Sequence, residues 1–142
     1  MAGTSDARAV LSPREVVELW RARALELDLN AEADLYAEDA TWEAPFTGPE
    51  SRVHGRENIR KMLLESKKGL EHAKVRPAGY RSVVWHETTD PEVVIVEFVV
   101  HGDIGRGGSF ALPYIQVFRV RDGEIVSLRD YYTQGTTNAS RG

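Results

Sequence analysis

The feature that most constrains the fold is a pair of long alternating segments joined by Asp122-Gly123, within the sequence PYIQVFRVRDGEIVSLRDYY of residues 113–132. Apolar and polar residues alternate on both sides of this dipeptide, and Asp-Gly supplies the positive φ angles that a tight turn between antiparallel strands needs. The segment therefore predicts a β-hairpin of two long strands. A period of two places successive residues of each strand on opposite faces of the sheet.

One carboxylate of this hairpin lies in phase with apolar residues. Asp130 shares a face with Val126 and Leu128, while Gln116 and Phe118 share one face of the opposite strand. Burying an ionised carboxylate without a partner costs free energy. Asp130 therefore lies either at a solvated strand end or in a cavity where it has a chemical function.

The composition narrows the partners that such a chain can have. A net charge of −4 without a basic stripe predicts no binding to nucleic acid or anionic membranes. The absence of cysteine excludes disulfides and thiolate metal sites, and the four histidines lack metal-ligand spacing, so we expect neither metal nor cofactor. With no apolar run of membrane-spanning length and no hydrophobic signal region at the N-terminus, we expect a cytoplasmic protein.

Helix signals dominate the N-terminal half. Ser12, Pro13 and Glu15 form a capping box, which predicts a helix that runs to about Leu29. The elements predicted after it are a short helix Ala31–Tyr36 capped by Asn30, a strand at Thr41–Ala44, a turn-like segment Phe46–Val53, and a third helix from Gly55 to about Lys68 that Gly69 ends.

From Val75 onward the hydrophobic period changes from helical to alternating. The predicted strands are Val75–His86, Val93–Gly102, Phe110–Arg121 and Glu124–Tyr132. The glycine-rich segment Gly102–Gly108 is predicted to be a flexible hairpin loop that could act as a lid. Residues 12–134 are expected to form one α+β domain with three helices on one face of a strongly curved antiparallel sheet, between flexible tails at 1–11 and 135–142.

Several segments resemble those of a known superfamily. They are LYAEDAT at 35–41, HGRENI at 54–59, VFRVRDGEI at 117–125 and the RDY of 129–131. Together they resemble the nuclear-transport-factor-2-like superfamily, and its SnoaL-like branch in particular, from about Val16 to Thr133. The resemblance implies a cone-shaped fold whose helices and curved sheet enclose a cavity, often with a dimer interface on the convex face. Because that fold carries isomerases, hydrolases, cyclases and binding modules, it predicts structure better than activity.

The catalytic sets of two related enzyme groups are absent. Ketosteroid isomerases resemble the chain closely around Leu35–Thr41, but the positions of their tyrosine and two aspartates are Trp20, Ala44 and Gln116 here. Limonene epoxide hydrolases need an arginine and a second aspartate at the positions of Glu97 and Val99. The resemblance therefore implies neither of these two mechanisms.

Two other groups of the superfamily share one position with this chain. SnoaL-like polyketide cyclases use an aspartate at the position of Asp130 and a histidine at that of Gln116. Phenazine-biosynthesis proteins of the A/B type also have an acid that matches Asp130, while their helix histidine matches Met62. An acid at Asp130 is what these groups have in common.

The resemblance implies a set of cavity-facing residues. Asp130, Glu97 and Gln116 are the candidate catalytic residues, with Asp130 as general acid/base. The candidate substrate-binding residues are Trp20, Trp42, Tyr114, Phe118, Tyr132 and His101, and the same alignment places Val99 and Leu128 beside them.

Two carboxylates in one cavity would shift each other's pKa. If Glu97 and Asp130 share the concave face, their pKa values separate and one carboxyl stays protonated near neutral pH. A structural alternative remains open, in which Glu97 pairs with a nearby cation such as Arg106 or Arg119 and Asp130 accepts hydrogen bonds from Tyr114 or Trp20.

The opposite sheet face is predicted to be apolar enough to need a cover. The residues assigned to it are Ile115 and Val117 and the row Val94, Val96, Phe98 and Val100. Because the helices cover the other face, this pattern predicts a homodimer through the convex face.

Two functions remain open from the sequence. The first is an enzyme of secondary metabolism, a cyclase, isomerase or hydrolase that acts on an apolar, cyclic small molecule. The second is a non-catalytic ligand-binding or accessory module with the same pocket. A fold-level resemblance does not separate them.

Overall fold

The computed structural model describes residues 10–133. Its helices are α1 (Pro13–Leu25), α2 (Leu29–Ala33) and α3 (Arg56–Ala73), and its strands are β1 (Tyr36–Glu43), β2 (Arg52–His54), β3 (Val75–Glu87), β4 (Val93–Ile104), β5 (Gly108–Arg121) and β6 (Glu124–Tyr131). Residues 1–9 and 135–142 of the predicted tails lie outside the described residues. None of the described helices combines the length and the apolar character needed to cross a membrane.

The predicted hairpin forms the middle of the sheet. The strand order is β2-β1-β6-β5-β4-β3, so β5 and β6 lie at its centre. Asp122 and Gly123 have φ angles of 53° and 79°, and Gln116 lies opposite Asp130 across the two strands. Every pair of neighbouring strands is antiparallel except β1 and β6, which are parallel. The curved, unclosed sheet with helices on one face confirms the predicted α+β class.

The first two helices form as short units with well-defined caps. The capping box is confirmed, because Ser12 Oγ accepts from the amide of Glu15 at 3.2 Å and the Glu15 side chain accepts from the amide of Ser12 at 2.8 Å. Helix α1 ends at Leu25, four residues before the predicted end, and Leu27 follows with a φ of 59° that a helix does not allow. Asp28 caps α2, which therefore begins two residues before the predicted start.

The third helix is longer than predicted. Gly69 lies inside α3, where a Cβ would meet no other atom, so the residue faces open space and does not end the helix. A glycine there lowers helix stability by about 1 kcal/mol relative to alanine, which tertiary contacts can offset. The helix ends at Ala73, and Lys74, with a φ of 59°, forms its left-handed cap.

Strand β4 has the opposite phase to the predicted one. Val96 lies opposite Gln116, and Phe98 lies opposite Tyr114, so the apolar row of β4 faces the helices. The prediction that this row covers the convex face was wrong. The outer face instead carries Glu97 and Ile115, whose side chain is 44% exposed. A shift of one residue in phase moves every side chain of a strand to the other face.

The core fills the space between α1 and the inner face of the central strands. Trp20 packs edge-on against Phe118, with ring centroids 5.2 Å apart and an interplanar angle of 72°. Phe118 and Leu128 are fully buried in this core cluster and do not line a cavity. The predicted placement of these two residues in the cavity was therefore wrong, although both lie on its face of the sheet.

The loop between β4 and β5 is shorter than predicted. The two strands stay paired as far as Ile104 and Gly108, which leaves residues 105–107 as the turn. The amide of Gly105 donates to the carbonyl of Lys74 at 3.0 Å. This contact ties the turn to the end of α3, so the structure does not place it as a lid over the cavity.

Candidate active site

A cavity of about 260 Å³ lies between the helices and the inner face of the sheet. Six of its lining residues are aromatic: Trp20, Trp42, Tyr80, Phe98, Tyr114 and Tyr132. Phe98 and Tyr114 stack with ring centroids 5.3 Å apart, and Tyr114 lies 4.9 Å from Tyr132. Part of the wall is therefore a row of rings, which suits a flat apolar ligand.

Asp130 lies in this wall at the end of β6. Its side chain is 8% exposed, and Gln116 Nε2 donates a hydrogen bond to Asp130 Oδ1 at 3.2 Å. Burial raises the pKa of Asp130 to about 7, and the hydrogen bond from Gln116 opposes the shift. The carboxyl is thus close to half protonated at neutral pH, as a general acid/base requires. Gln116 Oε1 is buried without a hydrogen-bond partner among the described residues.

A second carboxyl, that of Glu32, lines the same cavity from α2. Its side chain is 2% exposed, and no group of residues 10–133 makes a hydrogen bond to it. Burial, and next the charge of Asp130, raise the pKa of Glu32 to about 8. The charge of Asp130 opposes the ionisation of Glu32, so an ionised Asp130 favours a protonated Glu32.

The placement of Glu32 follows from the periodicity of α2. Leu29, Glu32 and Ala33 are the buried residues of the helix, at the i, i+3 and i+4 spacing of one helical face. The sequence prediction missed this face because it began the helix at Ala31. The available signal was Asp28, which caps the helix by accepting from the amide of Ala31.

The structural alternative, in which Asp130 accepts a hydrogen bond from an aromatic side chain, was wrong. Trp20 Nε1 donates to the hydroxyl of Tyr36 at 3.2 Å, and Gln116 is the residue that donates to Asp130. Burial raises the pKa of Tyr114, and the charge of Asp130 raises it further. These phenols therefore remain neutral around Asp130.

Six of the sequence-predicted site residues meet at the cavity: Trp20, Trp42, Tyr114, Gln116, Asp130 and Tyr132. Glu97 does not, because it lies on the outer face, where its Oε2 is 2.5 Å from His86 Nε2. Val99 and His101 share this outer phase of β4, and Phe118 belongs to the core. The predicted pairing of Glu97 with Asp130 was therefore wrong, and so were the alternatives that paired Glu97 with an arginine.

Two aromatic wall residues were also missed by the sequence prediction. Phe98 was assigned to the outer face, and Tyr80 lies on β3, whose phase the sequence did not determine. The hydroxyl of Tyr80 donates to the carbonyl of Arg21 at 2.8 Å. The guanidinium of Arg21 packs 4.1 Å from the ring centroids of both Tyr80 and Phe98, which holds the rings from behind.

Within residues 10–133, no group of three or more histidine or acidic side chains is arranged to hold a metal ion.

Residues 14–128 match the family model of the SnoaL-like domain. The chain belongs to the SnoaL-like family. It is 36% identical over 110 residues to a PhzA/B-like protein of Pseudomonas aeruginosa, across 74% of this chain and 72% of that one. It is also 30% identical over 122 residues to the YesE protein of Bacillus subtilis, across 83% of this chain and 79% of that one. Both of these relatives are uncharacterised.

Solved structures agree with the family. A candidate isomerase from Bacillus subtilis superposes with a TM-score of 0.76 at 25% identity, over 90% of this chain and 91% of that one. A Catenulispora acidiphila protein with a ketosteroid isomerase-like fold, in complex with trimethylamine, gives 0.67 at 26% identity, over 89% and 91%. A candidate polyketide cyclase from Pseudomonas putida gives 0.70 at 19% identity, over 92% and 98%. The resemblance to the nuclear-transport-factor-2-like superfamily and its SnoaL-like branch is confirmed.

Proposed function

We propose that this SnoaL-like protein is an enzyme that moves a proton on an apolar, cyclic small molecule, with Asp130 as its general acid/base. The observation that carries the proposal is the position of Asp130. Its carboxyl is buried in an aromatic cavity wall with a pKa raised to about 7, and one oxygen accepts a hydrogen bond from Gln116. A group that both accepts and releases a proton near neutral pH is most effective as a general acid/base.

The reaction class follows from what one carboxylate can do to a cyclic carbonyl compound. Asp130 takes a proton from the carbon next to the carbonyl, and the electron pair of that C–H bond moves onto the carbonyl oxygen to give an enolate. Return of the proton to a different carbon isomerises the substrate. Attack of the enolate carbon on an electrophilic carbon of the same molecule closes a ring, and Asp130 then returns the proton to the oxygen of that electrophile.

Other side chains of the cavity position the substrate in this scheme. Gln116 holds Asp130 in one orientation through Nε2, and Tyr114 and Tyr132 contact the ring of the substrate or bind its oxygen atoms. Trp20 and Trp42 complete the apolar wall. A bound ring that excludes water strengthens each polar interaction in the cavity.

Similar proteins support the proposal. Among the solved structures, one is named a candidate isomerase and others candidate polyketide cyclases, and another was solved in complex with a small organic molecule, trimethylamine. A role in secondary metabolism, a cytoplasmic location and a homodimer through the outer sheet face stay predictions.

A second function, ligand binding without catalysis, is favoured by one observation. Position 116 carries an amide, where the resemblance to the cyclases of this branch implies a histidine. An amide neither gains nor loses a net proton near neutral pH, so the cavity has one proton-transfer group fewer in that wall. In this case Asp130 and Gln116 would orient a ligand that leaves unchanged.

Deuterium exchange tests the proposal without knowledge of the natural substrate. The two-ring ketone 1-tetralone is incubated in D₂O with the wild-type protein or with Asp130→Asn, and exchange next to the carbonyl is followed by NMR. We expect the variant to lose about 10²-fold or more of the catalysed exchange, because the amide cannot take a proton.

The control and the contrary outcome are both defined by the structure. Glu97→Gln changes a carboxylate of the outer face and should keep the wild-type exchange rate. If the wild-type protein binds 1-tetralone but exchanges it no faster than Asp130→Asn does, the acid/base proposal fails and the binding module is favoured.

A further inference from the structure

The acid/base scheme leaves one buried carboxyl of the cavity without a task. Glu32 is 2% exposed and lines the cavity from α2, and its carboxyl receives no hydrogen bond from the described residues. Because its carboxyl lines the cavity without a protein partner, a ligand in the cavity can supply one. The position of Glu32 thus points to a polar atom on the bound ligand.

The groups that face Glu32 from neighbouring elements are acidic or neutral. Asp130 on β6 opposes its ionisation, and the charge of Glu32 in turn raises the pKa values of Tyr36 on β1 and Tyr80 on β3. No cation of the described residues contributes to the pKa of Glu32.

Two arginines that hydrogen-bond to α2 or to its C-cap residue do not contact the carboxyl of Glu32. Arg23 of α1 donates to the carbonyl of Ala31, and Arg60 of α3 donates to Asn30 and to the carboxylate of Asp34. Neither guanidinium compensates a charge on Glu32. The protein itself therefore favours the neutral acid, which is a hydrogen-bond donor, over the carboxylate, which is an acceptor only.

We propose that Glu32 is a second functional group of the cavity and donates a hydrogen bond from its carboxyl to an oxygen atom of the ligand, whose ring lies against the aromatic wall. This inference rests on the proposed function of the same cavity, and it adds the class of ligand: a neutral cyclic compound that carries a carbonyl or ether oxygen. Ligands that carry a carboxylate or a phosphate are disfavoured, because the charge of Asp130 repels an anion.

The donor role links the proton of Glu32 to that of Asp130. The charge of an ionised Asp130 raises the pKa of Glu32, so the cavity can hold a base and an acid at the same pH. A hydrogen bond from Glu32 to a carbonyl oxygen would stabilise the negative charge that forms there when Asp130 takes the neighbouring proton.

A binding experiment tests this role without any turnover. Calorimetry compares 1-tetralone with tetralin, which has the same two rings but no oxygen, at pH 6 and pH 9.5. We expect the wild-type protein to bind the ketone about tenfold more tightly than the hydrocarbon at pH 6, since one buried hydrogen bond contributes about that factor. The advantage should disappear at pH 9.5, above the pKa of about 8 of Glu32.

Two substitutions separate a donor from a merely structural side chain. Glu32→Gln keeps an N–H donor at every pH, so the advantage of the ketone should persist at pH 9.5. Glu32→Leu removes the donor, so the ketone and the hydrocarbon should bind alike at both pH values. Glu38→Gln, a change of an exposed residue on β1, should reproduce the wild-type profile.

Several results would overturn the role of Glu32. One is that the wild-type protein binds 1-tetralone and tetralin equally well, or binds neither. A second is that Glu32→Leu keeps the full ketone advantage. A third is that benzyltrimethylammonium binds more tightly than 1-tetralone at pH 6. The last result would make Glu32 an anion that binds cations. If the wild-type protein catalyses no deuterium exchange but still binds 1-tetralone more tightly than tetralin, only the acid/base function of Asp130 is defeated.

Discussion

The two faces of the central sheet carry carboxylates of the same chemistry in opposite surroundings. On the inner face Asp130 is 8% exposed, contacts an amide and has a pKa raised to about 7. On the outer face the side chain of Glu97 is 48% exposed and lies against His86. The comparison shows that residue type alone does not make an acid/base group. Removal from water does so, because desolvation penalises the charged form.

The remaining side chains of the two faces show the same contrast. The inner face consists of packed and stacked rings, of which Phe98 and Tyr114 are an example. The outer face carries ion pairs from Arg119 to Asp90 and Glu92, at 2.9 and 3.0 Å. Apolar packing therefore stabilises one face, while the other is a solvated surface where ion pairs contribute little.

The largest expected difference in stability is between variants that lose a large apolar side chain from the inner face and from the outer face. Phe118→Ala should lower the free energy of unfolding by about 3–5 kcal/mol, since Phe118 is fully buried and packs on Trp20. Ile115→Ala on the outer face, where the side chain is 44% exposed, should cost less than about 1.5 kcal/mol. Urea denaturation of both variants measures the difference, and equal losses would remove the distinction between the faces.

A change in pH is expected to have an intermediate effect on the free energy of unfolding. The folded-state pKa values of Glu32 and Asp130, about 8 and about 7, lie above their ordinary values of 4.5 and 3.8. At pH values between the ordinary and the folded-state pKa, the folded protein holds protons that the unfolded chain has released. The free energy of unfolding should therefore fall as the pH rises from about 4 to 8. The fall is on the order of 2 kcal/mol or more, at about 1.4 kcal/mol per shifted pKa unit before relaxation of the site.

Denaturation at several pH values checks this dependence. Glu32→Gln removes one of the two groups, so it should reduce the slope and make the protein more stable than wild type at pH 8. Glu97→Gln on the outer face should leave the slope as it is. A wild-type stability that rises from pH 5 to 8 would contradict the burial of the two acids.

The smallest effect is expected from the ion pairs of the outer face. Arg119→Met removes the contacts to Asp90 and Glu92 but keeps an apolar stem of similar length. We expect a slight decrease in the melting temperature at low salt that vanishes at high salt, because exposed ion pairs are screened. A large decrease that persists in salt would show that the outer face is more than a solvated surface.

Much of the fold could be predicted from local patterns. The Asp122-Gly123 turn, the capping box of Ser12 and the long alternating strands are all present in the structure. Their causes lie within a few residues of sequence: a turn that needs positive φ angles and a helix end that needs a side-chain acceptor. The boundaries of helices were less predictable, as Gly69 shows, because packing of the whole helix outweighs one unfavourable residue.

The candidate site was predictable only in part. Asp130 and Gln116 were predicted because they sit in phase on a hairpin whose register one turn determines. The phase of β4 was predicted wrongly for two reasons. Its even and odd residues are both largely apolar, and comparison with distant relatives placed Glu97 on the same sheet face as Asp130. Only the pairing of Val96 with Gln116 decides which row is buried.

The sequence by itself thus determined the α+β class, the central hairpin and one acid in an apolar register. Tertiary structure decided which acid accompanies it, because Glu32 and Asp130 are 98 residues apart in sequence and meet only where α2 packs over the sheet. A five-residue helix carries too few residues to reveal its buried face by periodicity alone. Burial is a property of the assembled fold, and burial is what raises the pKa values of both carboxyls.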